Sequence, residues 1–545
     1  MHRVPIAIVG GGPVGMMLAL LLERHGVRSA VFNTEPDVRF HPKGSTHNAR
    51  TMEHYRRLGL AEAVRQLGLP PDHPTDVAYF TRLNGSELAR LRMPSLAEKR
   101  QAVATSPKTG QIPEPIHRAN QMYVERALFA AVRARRSIAL RFGWTVEHFT
   151  QDADGVSLRA TDGAGEETWR VAYLVGCDGG RSFVRRALGI AYGGEEALKT
   201  AFFGGRMASV HLRAPTLYPD FLKDRRAFQY WVVNPELRTA LVALDGRDEF
   251  LMWSRASDEN VEADVRRLMR GCCGSDIPVE ILAFNPWTSG VALVAERFAA
   301  GRVLLAGDAV HLFTPTGGFG MNTGIDDAAN LSWKLAAMVQ GWGGPNLLDS
   351  YENERKPIAI RNTNAARAFA KNVGDVPVPP EMEDNSPAGA AARAKVGAFL
   401  GTFGEEFASI GVQLGARYDG SPIVCAQGTP PRDSLTEYMP SSVPGGRAPH
   451  VWLDEGRGIG SSLFDRLGVG FTLLRLGPKA PDGASICEAA KKRGVPLAVL
   501  DVPDRDARDL YGCDLCLIRP DQHVAWRGDT GPGNADKLIA RAIGT

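Results

Sequence analysis

A glycine-rich run near the start of the chain is the first pattern that could do chemistry. Its residues are Gly10, Gly11, Gly12, Pro13, Val14 and Gly15. The run follows an apolar segment, Ile6–Val9, and precedes a helix that we predict over residues 14–25. Gly10 allows the tight turn, Gly12 lets the backbone approach a pyrophosphate, and Gly15 lets the helix pack on the strand. With free N–H groups at the helix N-terminus, the run predicts a dinucleotide site.

The ribose of such a ligand would lie at the end of the second predicted strand, over residues 29–32. The usual acidic residue at this point is Asn33 here, and Glu35 follows two residues later. An amide still forms hydrogen bonds with a diol, although without charge. We therefore expect the ribose contact within the segment Asn33, Thr34 and Glu35, shared between Asn33 and Glu35.

Two further turns pair aspartate with glycine after predicted strands. They are Asp178-Gly179, which opens a short helix, and Gly307-Asp308, which follows a strand predicted over 303–306. A buried aspartate is costly unless it accepts hydrogen bonds, and Asp308 could accept one from a ribityl hydroxyl. Taken alone, either turn could equally be an ordinary turn with a capping aspartate.

A second run of small residues opens a long helix that we predict over residues 322–339. Its residues are Pro315, Thr316, Gly317, Gly318, Phe319, Gly320, Met321 and Asn322. Its N-terminus would direct backbone N–H groups at another anionic centre. Two helix N-termini and two Gly/Asp turns in one chain fit a long ligand with phosphates at one end and a ring at the other. FAD has this shape.

In this order and spacing, the motifs resemble those of the single-component flavoprotein aromatic hydroxylases, which include the phenol, 2,4-dichlorophenol and p-hydroxybenzoate hydroxylases. The resemblance implies an α/β fold: a Rossmann-like FAD-binding domain, an inserted antiparallel-sheet substrate domain and a C-terminal thioredoxin-like domain. It implies domains at 1–394 and 395–545, with the inserted sheet at about 195–295. In the phenol-hydroxylase branch the C-terminal domain can contribute to dimer contacts, so a homodimer is one expectation.

The resemblance also implies the residues that contact the flavin. Besides the first glycine run and the ribose segment, they are Lys43, Arg50, Gln121, Asp178, Gly307, Asp308, Pro315, Gly318, Gly320, Met321 and Asn322. Arg50 begins an Arg-Thr-x-Glu helix that is typical of the family. The sequence departs from the family where Pro-Arg-Ala is Pro42-Lys43-Gly44, and where some phenol hydroxylases hold an aspartate or histidine, here Ser45.

The chemistry that the resemblance implies is hydroxylation of a phenolic ring. NADPH or NADH reduces FAD, the reduced flavin takes up O₂ to give a C4a-hydroperoxide, and the distal oxygen attacks the ring. A base near the ring must draw off the phenol proton. The candidate catalytic residues are His47, His211, Tyr230 and Pro315. Each of the first three could instead be an ordinary core or surface residue, and Phe228, Tyr230 and Trp231 could line an apolar pocket or belong to the core.

Two alternatives stay open. One is a flavoprotein of the same fold that performs Baeyer–Villiger, epoxidation or dehydrogenation chemistry on an aromatic natural product. The other is a protein that binds flavin and aromatic ligands without turnover. Because no second G-x-G-x-x-G occurs, we expect no separate nicotinamide domain.

The composition supports an ordinary globular protein of several domains. The chain has 545 residues, 44% hydrophobic and 23% charged, with a net charge of +3. We therefore expect no nucleic-acid partner and, without a long apolar stretch, no membrane partner. Seven cysteines without framework spacing favour a reducing cytoplasm. Cys513-x-x-Cys516 is interpreted as packed thiols more readily than as a redox pair, and no metal-ligand spacing occurs.

The elements that position these motifs follow from periodicity. Helices are predicted at 49–58 and 121–136, and antiparallel strands between 202 and 253. Residues 375–391, rich in proline and small residues, are predicted as a loop or linker. Strands near 472–476, 497–500, 515–518 and 523–526 predict a small separate α/β domain. Asp326 and Asp327, within the long helix, are expected to favour its dipole rather than do chemistry.

Overall fold

A six-stranded sheet lies at the centre of the first part of the protein. The computed structural model describes residues 1–195, 205–255, 259–289 and 291–545. In spatial order the strands are Ala299–Ala300, Val303–Leu305, Tyr173–Gly176, Ile6–Val9, Ser29–Asn33 and Ile138–Phe142. All neighbours are parallel except the first pair. The carboxyl ends of three adjacent strands, at Val9, Gly176 and Leu305, therefore lie at one edge, where ligands bind in such sheets.

Helices pack against this sheet, and together they form the hydrophobic core of this part of the protein. Helix Pro13–Arg24 packs against helices Gln121–Arg133 and Phe319–Gln340. The strand Ile6–Val9 is buried throughout, as expected for a parallel strand covered on both faces. The observed helices begin and end within three residues of the predicted ones, and the long helix begins at Phe319 rather than at residue 322.

The protein contains a second sheet, of seven strands. In spatial order its strands are Glu280–Ser289, Gly205–Arg213, Glu249–Ser254, Arg238–Ala243, Gln229–Val233, Val77–Phe80 and Glu87–Leu91. The last two strands precede the predicted insertion at about 195–295, so the insertion alone does not make this sheet. Val77–Phe80 pairs in parallel with Gln229–Val233, a long-range pairing that leaves no local signal in the sequence. Residues 196–204 of the predicted insertion lie outside the described residues.

Helix Pro387–Leu400 corrects two predictions. It begins inside the segment 375–391 that was predicted as a loop, with Ser386 as its N-cap and Pro387 at its first turn. It also crosses the predicted domain boundary at 394/395. Its residues Val396 and Leu400 are buried in one hydrophobic cluster with Val77 and Tyr79 of the seven-stranded sheet, so the helix packs on that sheet.

The C-terminal part has a β-α-β-α-β-β-α order. Its strands, in spatial order, are Leu497–Val502, Phe471–Leu476, Leu515–Ile518 and Val524–Gly528. Its helices are Ala484–Lys492, Arg505–Tyr511 and Ala535–Ala542. The first two strands in the chain are parallel and the other pairs are antiparallel, as expected for a thioredoxin-like domain.

Smaller elements complete the described part of the chain. A four-stranded sheet contains His2–Arg3, Glu166–Val171, Val156–Thr161 and Thr145–Gln151; a three-stranded sheet contains Tyr192–Glu195, Ala292–Ala295 and His311–Leu312; and Thr46–His47 pairs with His117–Arg118. The other α-helices are Ala49–Arg57, Ala61–Arg65, Leu96–Ala104, Phe183–Ala187, Val261–Cys273, Asp349–Gly374, Gly404–Phe407, Ile410–Leu414 and Leu463–Arg466. Among the described helices, none has the length and apolarity needed to cross a membrane.

Candidate active site

A groove of about 660 Å³ runs along the carboxyl edge of the central sheet. Most of the predicted cofactor residues line it: Gly10, Gly12, Pro13, Val14, Asn33, Thr34, Glu35, Lys43, Gln121, Asp178, Asp308, Pro315, Gly318, Gly320 and Met321. Gly15, Gly307, Arg50 and Asn322 are not among its lining residues. The topology thus brings three turns that are far apart in sequence to one elongated groove.

The first glycine run has the geometry of a phosphate cradle. Gly10 has φ +110°, and a Cβ there would lie 2.2 Å from the carbonyl oxygen of Cys177. A Cβ on Gly15 would lie 2.0 Å from the carbonyl oxygen of Gly10, so Gly15 supports the turn from behind. A Cβ on Gly12 would meet no atom within 4 Å. Since no side chain caps the following helix at Gly12, its first N–H groups are available to a pyrophosphate.

Asn33 holds this turn in place. Its side-chain oxygen accepts a hydrogen bond from the Gly11 N–H at 3.1 Å, and its amide donates to the Glu35 carbonyl at 2.9 Å. The Glu35 carboxylate is about half exposed and pairs with Arg39 at 2.6 Å. Both residues line the groove, so the ribose contact remains a prediction shared between them. An amide at position 33 suits this pair of hydrogen bonds, which we call the Asn33 clamp, because a carboxylate could not donate to a carbonyl.

The two aspartates of the Gly/Asp turns differ in their surroundings. One oxygen of Asp178 accepts a hydrogen bond from the Val184 N–H at 3.0 Å, so this side chain caps the short helix while also lining the groove. The Asp308 carboxylate opens into the groove and makes no hydrogen bond with any described residue. The side chain is exposed to the groove, and desolvation by the surrounding groove walls raises its pKa. Asp308 is therefore a carboxylate without a protein donor, facing the groove.

The second helix N-terminus closes the far end of the groove. Gly318 has φ +65°, and no side chain caps the helix that begins at Phe319. The Asn322 side chain is engaged elsewhere, since it donates to the carbonyls of Thr46 and Gly318 at 2.9 and 2.6 Å and accepts from the Asn48 N–H at 2.9 Å. The Asn322 side chain thus positions the helix N-terminus, and the contact of the backbone N–H groups at Gly320–Asn322 with the flavin remains a prediction.

Arg50, which was predicted to contact the flavin, does not line the groove. Its guanidinium is buried and donates to Glu53, Gln522 and the Asp521 carbonyl at 2.8, 2.7 and 2.6 Å. It therefore joins the first part of the chain to the C-terminal part rather than contacting the groove. Lys43, which replaces the family arginine, does line the groove, and its ammonium forms no ion pair with any described residue.

A second cavity, of about 60 Å³, adjoins the groove. Aromatic side chains form much of its wall: Phe228, Trp231, Trp253, Phe319 and Phe407. Its polar residues include Ser45, Arg118, Gln229, Glu406, Ser409 and Gln413. Six residues line both spaces, namely Gly44, Thr46, Trp253, Pro315, Gly318 and Phe319. The groove and the aromatic cavity therefore share one wall, at the N-terminus of the long helix.

The three predicted bases lie outside this cavity. His47 is fully buried, with its ring nitrogens near the Tyr55 hydroxyl and the Ala119 carbonyl at 3.2 and 3.1 Å, and burial lowers its pKa to about 4. His211 is buried beside Glu249 at 3.0 Å. The Tyr230 hydroxyl accepts the Ala227 N–H at 2.6 Å, and burial raises its pKa. All three are buried core residues that do not line the cavity, so the structure does not support any of them as the catalytic base, whose identity remains a prediction. Pro315 lies at the shared wall, so its role remains a prediction.

Strand alternation explains why Tyr230 does not line the cavity. Side chains of successive strand residues point to opposite faces, so Gln229 and Trp231 share a face that Tyr230 does not. Gln229 and Trp231 line the cavity. The period of two was readable in the sequence and could have identified Gln229. No local signal identified Arg118 or Glu406.

Asp327 also has a role that the sequence did not reveal. It is fully buried and accepts hydrogen bonds from Arg355 and the Gly307 N–H at 2.8 and 3.2 Å, with the His311 Nε2 at 2.6 Å. It therefore anchors the turn that presents Asp308. Its neighbour Asp326 contacts Arg355 and His54. These aspartates belong to a buried network of hydrogen bonds and ion pairs, rather than serving as charges that stabilise the helix dipole.

Two family models match the chain. One, described as an FAD binding domain, matches residues 3–366, and one described as the C-terminal domain of aromatic-ring hydroxylases matches residues 441–545. The chain belongs to the FAD-binding aromatic-ring hydroxylases. This membership confirms FAD as the cofactor and an FAD-dependent monooxygenase as the class of enzyme.

Individual relatives of the hydroxylase match almost its full length. The FAD-dependent monooxygenase apdD of Emericella nidulans is 32% identical, covering 99% of this chain and 90% of its own length. A 2,4-dichlorophenol 6-monooxygenase of Cupriavidus pinatubonensis is 30% identical, covering 99% and 95%. The solved structure of the rebeccamycin biosynthetic enzyme RebC with reduced flavin has a TM-score of 0.89 at 35% identity, covering 100% of this chain and 99% of that chain.

The geometry of the hydroxylase fits FAD. The first glycine run and its helix N-terminus suit a pyrophosphate, and the unpaired Asp308 carboxylate suits a ribityl hydroxyl. The uncapped helix N-terminus at Gly318 suits the electron-rich edge of the flavin ring. The sequence therefore identified the cofactor correctly, although Arg50 and the Asn322 side chain serve it only indirectly.

Proposed function

We propose that this hydroxylase inserts one oxygen atom of O₂ into the ring of a phenolic aromatic substrate, with NADPH or NADH as the reductant. The observation that carries the proposal is the wall shared by the flavin groove and the aromatic cavity. A ring held between Phe228, Trp231 and Trp253 would lie next to the end of the groove that suits the flavin ring, with these walls moving apart to widen the cavity from about 60 Å³. The name of the 2,4-dichlorophenol 6-monooxygenase relative supports a phenol as the substrate class.

Each part of the site has a distinct task in this proposal. Bound FAD supplies the redox chemistry, accepting electrons from the nicotinamide and activating O₂. The N-terminus of helix Phe319–Gln340 favours negative charge at the adjoining end of the groove. The aromatic walls orient the substrate ring and exclude water. The buried Arg118 guanidinium and the buried Glu406 carboxyl group would interact with the polar group of the substrate.

The first test is anaerobic stopped-flow reduction of the bound flavin by NADPH and by NADH, with and without a panel of simple and polycyclic phenols. We expect one class of phenol to accelerate reduction strongly. Turnover of that phenol under isotopically heavy O₂ should then place one labelled oxygen on its ring. Failure of both nucleotides to reduce the flavin across the panel would favour a binder without turnover. Label in a ring-expanded ester would favour Baeyer–Villiger chemistry.

A further inference from the structure

Two oppositely charged residues line the aromatic cavity without pairing with each other. Arg118 and Glu406 are 6% and 7% exposed. They form no direct ion pair, although both line the same small space. Arg118 lies on the strand His117–Arg118, and Glu406 on the helix Gly404–Phe407. That helix falls between the two family matches, which cover residues 3–366 and 441–545.

Arg118 has unused hydrogen-bonding capacity. Its Nη1 donates to the Thr46 hydroxyl, and its guanidinium lies over the Phe228 ring at 4.8 Å. Its Nε is buried and has no hydrogen-bond partner among the described residues. Because Arg118 lines the cavity and forms no ion pair with any described residue, a charge-assisted hydrogen bond to an anionic oxygen in the cavity would stabilise it.

Glu406 is held at the wall that the cavity shares with the flavin groove. Its Oε1 accepts a hydrogen bond from the Gly317 N–H at 3.2 Å, directly before Gly318. Burial raises its pKa to about 7, against the opposing effects of this hydrogen bond and of Arg118. The titratable and charged groups that face it are the Arg118 guanidinium and the Tyr79 phenol. Such a carboxyl group exchanges its proton near neutral pH.

Because the proposed substrate is a phenol, this inference rests on the proposed function. We propose that Glu406 accepts the proton of the substrate hydroxyl and that Arg118 binds the resulting phenolate oxygen. The phenol O–H bond breaks, its electron pair stays on oxygen, and an O–H bond forms on the carboxylate. No group is oxidised or reduced in this step. The phenolate donates electron density into its ring, which prepares the ring for attack by an electrophilic oxygen.

The first experiment measures ionisation of a bound phenol in the oxidised, FAD-loaded protein, without turnover. The probes are 4-nitrophenol, whose phenolate is coloured, and any phenol that accelerates flavin reduction. The wild type should bind the phenolate below the pH at which the free probe ionises. Arg118→Gln should raise the ionisation midpoint of the bound probe by about one pH unit or more, because it removes the cation beside the phenolate. Glu406→Gln should lower the midpoint, because an ionised carboxylate beside the hydroxyl disfavours a second negative charge. Glu405→Gln, at an exposed neighbour, should leave the midpoint unchanged.

The second experiment measures coupling of reductant use to hydroxylation. A general base typically contributes about 10²–10⁴-fold, so Glu406→Gln should lose hydroxylation on this scale. The NAD(P)H that this variant oxidises without hydroxylating the substrate should then yield hydrogen peroxide. Glu406→Asp should restore part of the activity. The hydroxylation rate of the wild type should depend on pH near neutrality, and this dependence should be absent in Glu406→Gln. Circular dichroism and flavin content establish that each variant is folded.

The outcomes separate the two proposals. If the wild type hydroxylates a phenol and Glu406→Gln keeps its coupling, its pH profile and its bound-phenol midpoint, the role of Glu406 is refuted and the proposed function stands. If no phenol is bound or hydroxylated by the wild type, the proposed function fails, and the role of Glu406 fails with it.

Discussion

The side-chain oxygen of Asn33 accepts a hydrogen bond from the Gly11 N–H at 3.1 Å. The residue expected to replace the acidic ribose ligand therefore holds the glycine-rich turn in its phosphate-binding shape. Its amide completes the clamp by donating to the Glu35 carbonyl at 2.9 Å.

Removing this clamp should weaken FAD binding. Each such hydrogen bond contributes about 0.5–1.5 kcal/mol, so Asn33→Ala should lower the affinity for FAD by about tenfold. Fluorescence titration of the apoprotein with FAD measures this effect. Circular dichroism should remain that of the wild type. An unchanged affinity would show that the glycine-rich turn keeps its shape without Asn33.

Asp308 should matter directly for FAD retention. Asp308→Ala is expected to purify folded but poor in FAD, because the groove loses the carboxylate that no described residue engages. Asp308→Asn retains hydrogen-bonding capacity and should hold more flavin than the alanine variant. The ratio of flavin absorbance to protein absorbance measures both. Full occupancy in Asp308→Ala would contradict the assignment.

Arg50 should matter for stability more than for the flavin. Arg50→Ala leaves Glu53 with one fewer partner in a buried network, and breaking a buried pair costs about 3–5 kcal/mol. Denaturant unfolding should show this loss, while the visible flavin spectrum stays unchanged. Arg266→Ala is the matched control, since its pair with Glu262 is exposed and worth less than about 1 kcal/mol. A shifted flavin spectrum in Arg50→Ala would support the original prediction of a flavin contact.

Glu406 should make stability depend on pH. Its pKa is about 7 in the folded protein against an ordinary value of 4.5, so the fold favours the neutral form. Below pH 4.5 the group is protonated in both states; between about 4.5 and 7 only the unfolded state releases its proton, and stability falls. The total loss is about 3 kcal/mol, complete above pH 7.

Glu406→Gln should remove this dependence. Its melting temperature should match that of the wild type near pH 4 and exceed it at pH 8, provided that both are measured with saturating FAD. Glu405→Gln should track the wild type at every pH. Equal melting temperatures for Glu406→Gln and the wild type at pH 8 would contradict a raised pKa at Glu406.

The cysteine pair of the C-terminal domain should be dispensable for turnover. Cys513 and Cys516 are buried free thiols, and neither lies in the groove or the aromatic cavity. The double variant Cys513→Ser/Cys516→Ser should therefore hydroxylate at nearly the wild-type rate. Steady-state assays measure this. A large loss of coupled turnover in a folded double variant would revive the redox interpretation.

The sequence by itself determined the cofactor and the architecture that holds it. A phosphate cradle is made from backbone atoms of contiguous residues, so its requirements appear as a local pattern such as Gly10–Gly15. Asp308 was equally readable, because its turn follows a buried strand. The family resemblance extended these local signals to the whole fold.

The tertiary structure alone decided which side chains line the aromatic cavity. Arg118 and Glu406 come from distant parts of the chain and line the same cavity because the helix Gly404–Phe407 packs beside the turn Thr316–Gly318. Local sequence carries no record of such a contact. His47, His211 and Tyr230 had suitable chemistry, but folding buried each of them in the core. A residue type states what a group can do, whereas its burial and its neighbours decide whether it reaches the substrate.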